Sequence, residues 1–370
     1  MFDLKKAQRL LEVCLPALQQ SALVSLTTNH DDDDDDDDDD WTTRDDIQVD
    51  TLCRLWGGMG HVYRMQVKKA NRNLTIIVKH VSSSSSTQGT RLSVGDQRKA
   101  DSYECEANFY QRLAPRLLTQ GLEIPIPLHI EREDGVLICM SELKGNSLSY
   151  LGEEETKAVL RWLATLHAAT WGPIMADQAV SDGGLQPNGT YWYLDTRLDE
   201  HASIRSKGWE GRLKRAARAI DERLKRDPMQ CCVHGDAKSA NMLFRQRQTH
   251  QKEQRVVGMY DFQYCGKAPP TKDLAYMLCV AADDINDSYV DYYHEQLSDR
   301  LPDSAYRPSL DELKESLDLA FCDWARFMAG WGYWGTDVST KVIAVLDRLD
   351  GGNDLGSEDA YREAVMREYG

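Results

Sequence analysis

The 370-residue chain has no apolar run of transmembrane length, so no membrane span is expected. It has no C-x-x-C pair. Its nine cysteines are odd in number and scattered, which excludes a disulfide framework or a zinc site and points to reduced thiols in a cytosol-like compartment. It also lacks a Lys/Arg-rich stripe. The net charge is −16, but the ten aspartates of residues 31–40 carry most of it and leave a mildly acidic body. Nucleic-acid phosphates and an anionic membrane surface are therefore poor partners. Residues 1–26 carry Lys5, Lys6 and Arg9, yet also Asp3 and Glu12, and no signal-peptide apolar core. A cytoplasmic location is expected, with organelle targeting by residues 1–26 the lesser reading.

What is present is an ordinary globular composition, 41% hydrophobic and 28% charged, in a chain long enough for two lobes. Leu4, Leu11, Leu15 and Leu18 stand near helical spacing, so a short amphipathic helix is expected there. The aspartate run repels itself and reads as a solvated spacer, which makes residues 1–40 an appendage. Residues 47–81 read as three antiparallel strands, with Gly57, Gly58 and Gly60 in the first turn. Glycines there let backbone N–H groups approach phosphates, although a glycine hairpin without a ligand is as common.

Lys79 lies in a β-branched run, where it must alternate to a solvated face or find a partner. After an exposed Ser-rich loop, residues 82–99, a helix is expected over 100–113, closed near Pro115. Tyr103, Glu106, Tyr110 and Leu117 share its apolar face, whereas Glu104 falls with Asn108 and Gln111 on the polar one. An acid on an apolar face needs a buried partner, so Glu106 is the expected mate of Lys79. Two more strands span 125–143, and residues 140–146, with Glu142 and Leu143, read as a hinge. A helix follows over 153–171 with a packed His167. A basic amphipathic helix covers 209–226. Further helices are expected near 288–299, 309–330, 338–349 and 357–368.

The chemistry concentrates in His234-Gly235-Asp236-Ala237-Lys238-Ser239-Ala240-Asn241. Twenty residues after Asn241 comes Asp261, at the end of an apolar strand. An acid, an amide five residues on and a second acid after a strand suit phosphoryl transfer. One carboxylate receives the acceptor's proton, and the amide and second carboxylate hold magnesium. Asp273 opens the next helix, as its expected N-cap.

These motifs, with Asp261-Phe262-Gln263 and Asp273-Leu274-Ala275, resemble the protein-kinase-like small-molecule kinases. That group includes aminoglycoside phosphotransferases, choline kinases and ecdysteroid-kinase-like proteins, and the resemblance covers roughly residues 50–340. It implies an α+β, bilobal protein-kinase-like fold. A small antiparallel-sheet lobe with one helix, residues 41–145, would hold ATP, with the Glu142–Leu143 backbone at the adenine. A larger helical lobe, residues 146–370, would carry the catalytic loop and the acceptor site. Residue by residue, the resemblance makes Asp236 the base, Asn241 and Asp261 the Mg2+ ligands, and Lys79 with Glu106 the phosphate-positioning pair. It makes Asp273 a support of the loop.

Three departures from protein kinases weigh against a protein substrate: Gly235 in place of arginine, Gln263 in place of the glycine after Asp-Phe, and no A-P-E segment. Lys238 stands where a protein kinase places a γ-phosphate lysine; it either stabilises the transferred phosphoryl or is a surface lysine. The acceptor reads as a small hydroxylated molecule, whether an amino alcohol, aminoglycoside-like or sterol-like. The aromatic stretch 321–334 is either a packed core helix, the favoured reading, or an acceptor wall in which Asp323 or Asp337 adds charge. The alternative function is a nucleotide-binding pseudokinase or scaffold, with a Ser/Thr protein kinase behind it.

Overall fold

The computed structural model describes residues 2–20, 47–55, 58–69, 72–82, 94–248 and 253–370. The aspartate run, Gly57 and most of the Ser-rich segment lie outside them. Two compact units emerge, Met1–Pro115 with Ile124–Leu143, and Arg116–Glu123 with Lys144–Gly370.

The first unit begins with α1 (Leu4–Gln20), followed by β1 (Ile47–Arg54), β2 (Gly60–Lys69) and β3 (Arg72–Ser82). Then come α2 (Val94–Asn108), a π-helical turn (Phe109–Leu113) and α3 (Ala114–Thr119), which carries the chain into the second unit. β4 (Pro127–Glu131) and β5 (Gly135–Ser141) complete an antiparallel sheet of order β1-β2-β3-β5-β4. The helix expected to close at Pro115 instead continues. In the widened turn the N–H of Ala114 bonds to Phe109 O, five residues back. Pro115 follows as the second residue of α3, so the widened turn stands directly before the proline, where the helix must accommodate a missing N–H and the bulk of the ring.

Strand alternation divides the sheet's two faces. Leu74, Ile76 and Val78 of β3 join Leu137 and Cys139 of β5 on one face, and Ala7, Leu10, Leu11, Cys14 and Leu18 of α1 pack onto it. The N-terminal helix expected as part of an appendage is thus a core element of this unit. Its apolar stripe runs through Leu10 and Leu11, and Leu4 is left outside.

The second unit is mainly helical. In chain order its helices are α4 (Glu153–Ala169), α5 (Pro173–Ser181), α6 (Leu198–Ser203), α7 (Gly208–Lys225), α8 (Thr271–Val280), α9 (Asp287–Ser298), α10 (Leu310–Trp331), α11 (Ser339–Asp350) and α12 (Glu358–Tyr369). α10 is its spine, packing on α6, α7, α8 and α11. It begins with a reciprocal cap in which Ser309 and Glu312 each satisfy the other's backbone N–H. Between α7 and α8 run β6 (Cys231–Val233), β7 (Met242–Gln248), β8 (Glu253–Met259) and β9 (Gly266–Ala268). β6 pairs with β9, and β7 with β8. Among the described residues no helix is long and apolar enough to cross a membrane.

Candidate active site

In the first unit, Val78 faces α1, so its neighbour Lys79 must face the other way. There it meets α2: Lys79 Nζ lies 2.5 Å from Glu106 Oε2, and both side chains are buried. The same ammonium sits 5.4 Å from the ring centre of Tyr103. Glu104 is engaged elsewhere, 2.9 Å from Arg132 Nε. Glu142 directs its carboxylate to Arg64 Nη2 at 2.8 Å, and Leu143 is half-buried beside it. Gly58 adopts φ +72°. At Gly60 a Cβ would overlap the carbonyl oxygen of His80, so close pairing of β2 with β3 already requires glycine there.

In the second unit, β6 delivers the chain into the loop at His234. Asp273 lies in the first turn of α8 and does not cap the helix, because its carboxylate is committed to the loop. Oδ2 accepts from His234 N at 2.6 Å and Oδ1 from Gly235 N at 2.9 Å. His167 Nε2 stands 3.2 Å from Oδ2, and its Nδ1 lies 2.7 Å from Tyr293 Oη. The packed histidine is therefore part of the scaffold under the loop. His234 accepts the Asp236 N–H on Nδ1 at 3.3 Å, which makes Nε2 the protonated nitrogen, 3.2 Å from Tyr260 O. Burial lowers its pKa and keeps the ring neutral.

Gly235 has φ +82°, and a Cβ there would overlap Tyr264 O. Gly235→Ala is therefore expected to cost at least about 1–2 kcal/mol from the left-handed backbone alone and to displace the loop. The thermal midpoint of purified variant and wild type checks this; an unchanged midpoint would show that the loop yields freely.

The Asp236 carboxylate is buried and held by three donors. Tyr276 Oη donates to Oδ1 at 2.9 Å, Lys238 Nζ to Oδ2 at 2.8 Å and Asn241 Nδ2 to Oδ2 at 3.2 Å. Asn241 Nδ2 also bonds the Asp236 carbonyl at 2.9 Å. Burial, and then the Asp236 charge, push the Tyr276 pKa well above the ordinary phenol value, so it is a permanent donor. The sequence reading missed Tyr276. Its signal was available, since it stands three residues after Asp273 and shares that residue's helix face.

Asn241 immediately precedes β7, and Asp261 lies two residues past the end of β8. The register pairs Met242 with Met259, and Tyr260 N bonds Asn241 O at 3.2 Å. The antiparallel ladder thus brings the amide and the second acid to one end. Asp261 adopts φ +70°, unusual outside glycine, and marks a strained turn. Phe262 is buried against His234, ring centres 4.8 Å apart. Asp236, Lys238, Asn241 and Asp261 thus share one loop cluster.

The aromatic stretch is core at one end and surface at the other. Trp324, Phe327 and Met328 are buried, while Trp331 and Trp334 are exposed. Asp323 is not a free charge: it is buried and paired with Lys272 and Arg326. Asp337 accepts from Ser339 N at 2.8 Å, near the start of α11.

Among solved structures the chain is similar to a Plasmodium vivax ethanolamine kinase, at 11% identity over 94% of each chain with a TM-score of 0.47. It is similar to a Cryptosporidium parvum choline kinase, at 9% identity over 88% of this chain and 92% of that one, TM-score 0.46. It is also similar to an aminoglycoside 2'-phosphotransferase in its GDP complex, at 13% identity over 86% and 89%, TM-score 0.45. No curated protein sequence matches it. Residues 67–313, the larger part of the chain and the whole of the loop cluster, match the model of the phosphotransferase enzyme family, APH. The chain belongs to that family, and is thereby a small-molecule kinase of the protein-kinase-like kind.

Proposed function

We propose that the protein transfers the γ-phosphoryl group of ATP to a hydroxyl of a small-molecule acceptor. The observation that carries this reading is Asp236: a buried carboxylate held by three donors, on a loop whose amides are tied to Asp273. Such a carboxylate is fixed in place before any acceptor arrives. It orients the hydroxyl and takes its proton as the acceptor oxygen bonds to the γ-phosphorus. The bond from that phosphorus to the β,γ-bridging oxygen breaks, and ADP leaves. Lys238, 2.8 Å from Asp236 Oδ2, places positive charge beside the transferred group. Lys79, held by Glu106, binds the α- and β-phosphates. The turn of Gly57, Gly58 and Gly60 covers the phosphates, with the Gly58 N–H itself spent on Leu55 O at 3.0 Å, and the backbone of Glu142 and Leu143 meets the adenine.

The donor set fits magnesium. Asn241 uses its Nδ2 on Asp236, which leaves its oxygen for a hard cation, and Asp261 adds a carboxylate. Among the described residues no three His, Cys, Asp or Glu form a metal cage. When bound, the ion offsets phosphate charge.

Thermal-shift titration with ATP, with and without magnesium, tests the reading together with ADP release over a panel of alcohols. A metal-dependent rise on the order of 5 °C at saturation, with acceptor-dependent ADP release, is expected. Binding that ignores magnesium, without turnover, would instead make the protein a nucleotide-binding scaffold.

A further inference from the structure

Arg197, just before α6, is set into an aromatic surface of the second unit. Its guanidinium carbon lies 5.6 Å from the ring centre of Tyr191, 5.4 Å from Phe327 and 5.3 Å from Trp331. Phe327 and Trp331 stack one helical turn apart on α10, ring centres 5.7 Å apart. Part of the guanidinium is spent: Nε donates to Tyr191 O at 3.1 Å and Nη1 to Glu200 Oε1 at 3.2 Å. Nη2 has no partner among the described residues, and the side chain is 21% exposed. Trp331 beside it is 55% exposed. A partly exposed guanidinium, flanked by three rings and with Nη2 unbonded among the described residues, therefore lies beside a half-exposed indole.

This surface adjoins the base. Tyr191 Oη lies 3.3 Å from Tyr276 Oη, which donates to Asp236 Oδ1 at 2.9 Å. Two tyrosine side chains thus bridge the guanidinium and the carboxylate. The aromatic faces that would attract an ammonium already hold a guanidinium, which Glu200 pairs from one side, so they are not free to take a second cation. A carboxylate suits the free edge, because arginine's fork bonds planar oxyanions and its stacking keeps it oriented. The exposed indole adds a face for a flat apolar body.

We propose that Arg197 and Trp331 are specificity-determining residues that select a planar, ring-containing alcohol bearing a carboxylate at the end remote from the phosphorylated hydroxyl. The assignment rests on the phosphotransferase reading above for the role of that hydroxyl.

Three matched probes test it: 6-(hydroxymethyl)-2-naphthoate, its primary amide and the analogue with trimethylammonium in place of the carboxylate. Each is titrated calorimetrically into the full chain, and phosphorylation by Mg-ATP is followed by mass spectrometry. The carboxylate is expected to bind roughly tenfold or more tighter than the amide, and the ammonium weakest. Arg197→Met should erase the carboxylate–amide difference. Trp331→Ala, at an exposed position that tolerates change, should weaken carboxylate and amide alike. Preference for the ammonium, no binding of any probe, or a carboxylate preference untouched by Arg197→Met overturns the proposal. The expected binding pattern without turnover sensitive to Asp236→Asn upholds the anion site and counts against the phosphotransferase reading instead.

Discussion

Asp236→Asn is expected to lower phosphoryl transfer by roughly 10²–10⁴-fold, the usual contribution of a positioned base. Nucleotide affinity should stay within about twofold, because Lys79 and Asp261 are untouched. The substitution keeps shape but removes one acceptor from a group that now meets three donors. Tyr276 can no longer be satisfied on one oxygen while Lys238 and Asn241 share the other. A loss of about 1–3 kcal/mol in stability therefore accompanies the loss of rate. Turnover with an acceptor pool, read beside nucleotide binding and the thermal midpoint, separates the two effects. Unchanged turnover would remove Asp236 from the chemistry.

Lys79→Met should have the largest effect on stability. It removes the cation that sits 2.5 Å from the buried Glu106 carboxylate, and breaking such a buried pair costs up to about 3–5 kcal/mol. The double variant Lys79→Met with Glu106→Leu should recover most of that, since a buried pair replaced by apolar groups is often neutral. Nucleotide binding, by contrast, should be lost in both. Chemical denaturation with nucleotide titration on the three proteins decides the matter. A double variant no more stable than the single one would mean that the pair is not the source of the loss, and retained nucleotide affinity would leave Lys79 a structural residue.

Much of this was legible in the sequence because periodicity carries it. Helical phasing separated Glu106 from Glu104, and the structure joins Glu106 to Lys79 while Glu104 goes to Arg132. The four C-terminal helices fall within about one residue of their expected limits, since each follows a cap or turn signal. What stayed hidden depends on tertiary placement. Asp273 by its position alone reads as a cap, and only the family resemblance assigns it to the loop, two of whose amides its carboxylate satisfies. Asp323 looked available because its two cations lie on a neighbouring helix and one turn away. Tyr276 was passed over because tyrosine on an apolar helix reads as packing. Arg197 carried no local signal at all: its partners Phe327 and Trp331 are more than a hundred residues distant and meet it only when α10 packs on α6. The role of Pro115 turned on a single widened turn that no composition rule anticipates.

The parity of β3 has a consequence for how this chain can change. Val78 fills the face under α1, and Lys79, one residue on, points to Glu106. A single insertion or deletion in β3 would therefore exchange the two, driving an ammonium into an apolar layer and turning a valine toward a buried acid. Substitutions can be absorbed there one side chain at a time, but length cannot. The strand's residue count ties the folding of the sheet to the placement of its lysine, so neither can drift without the other.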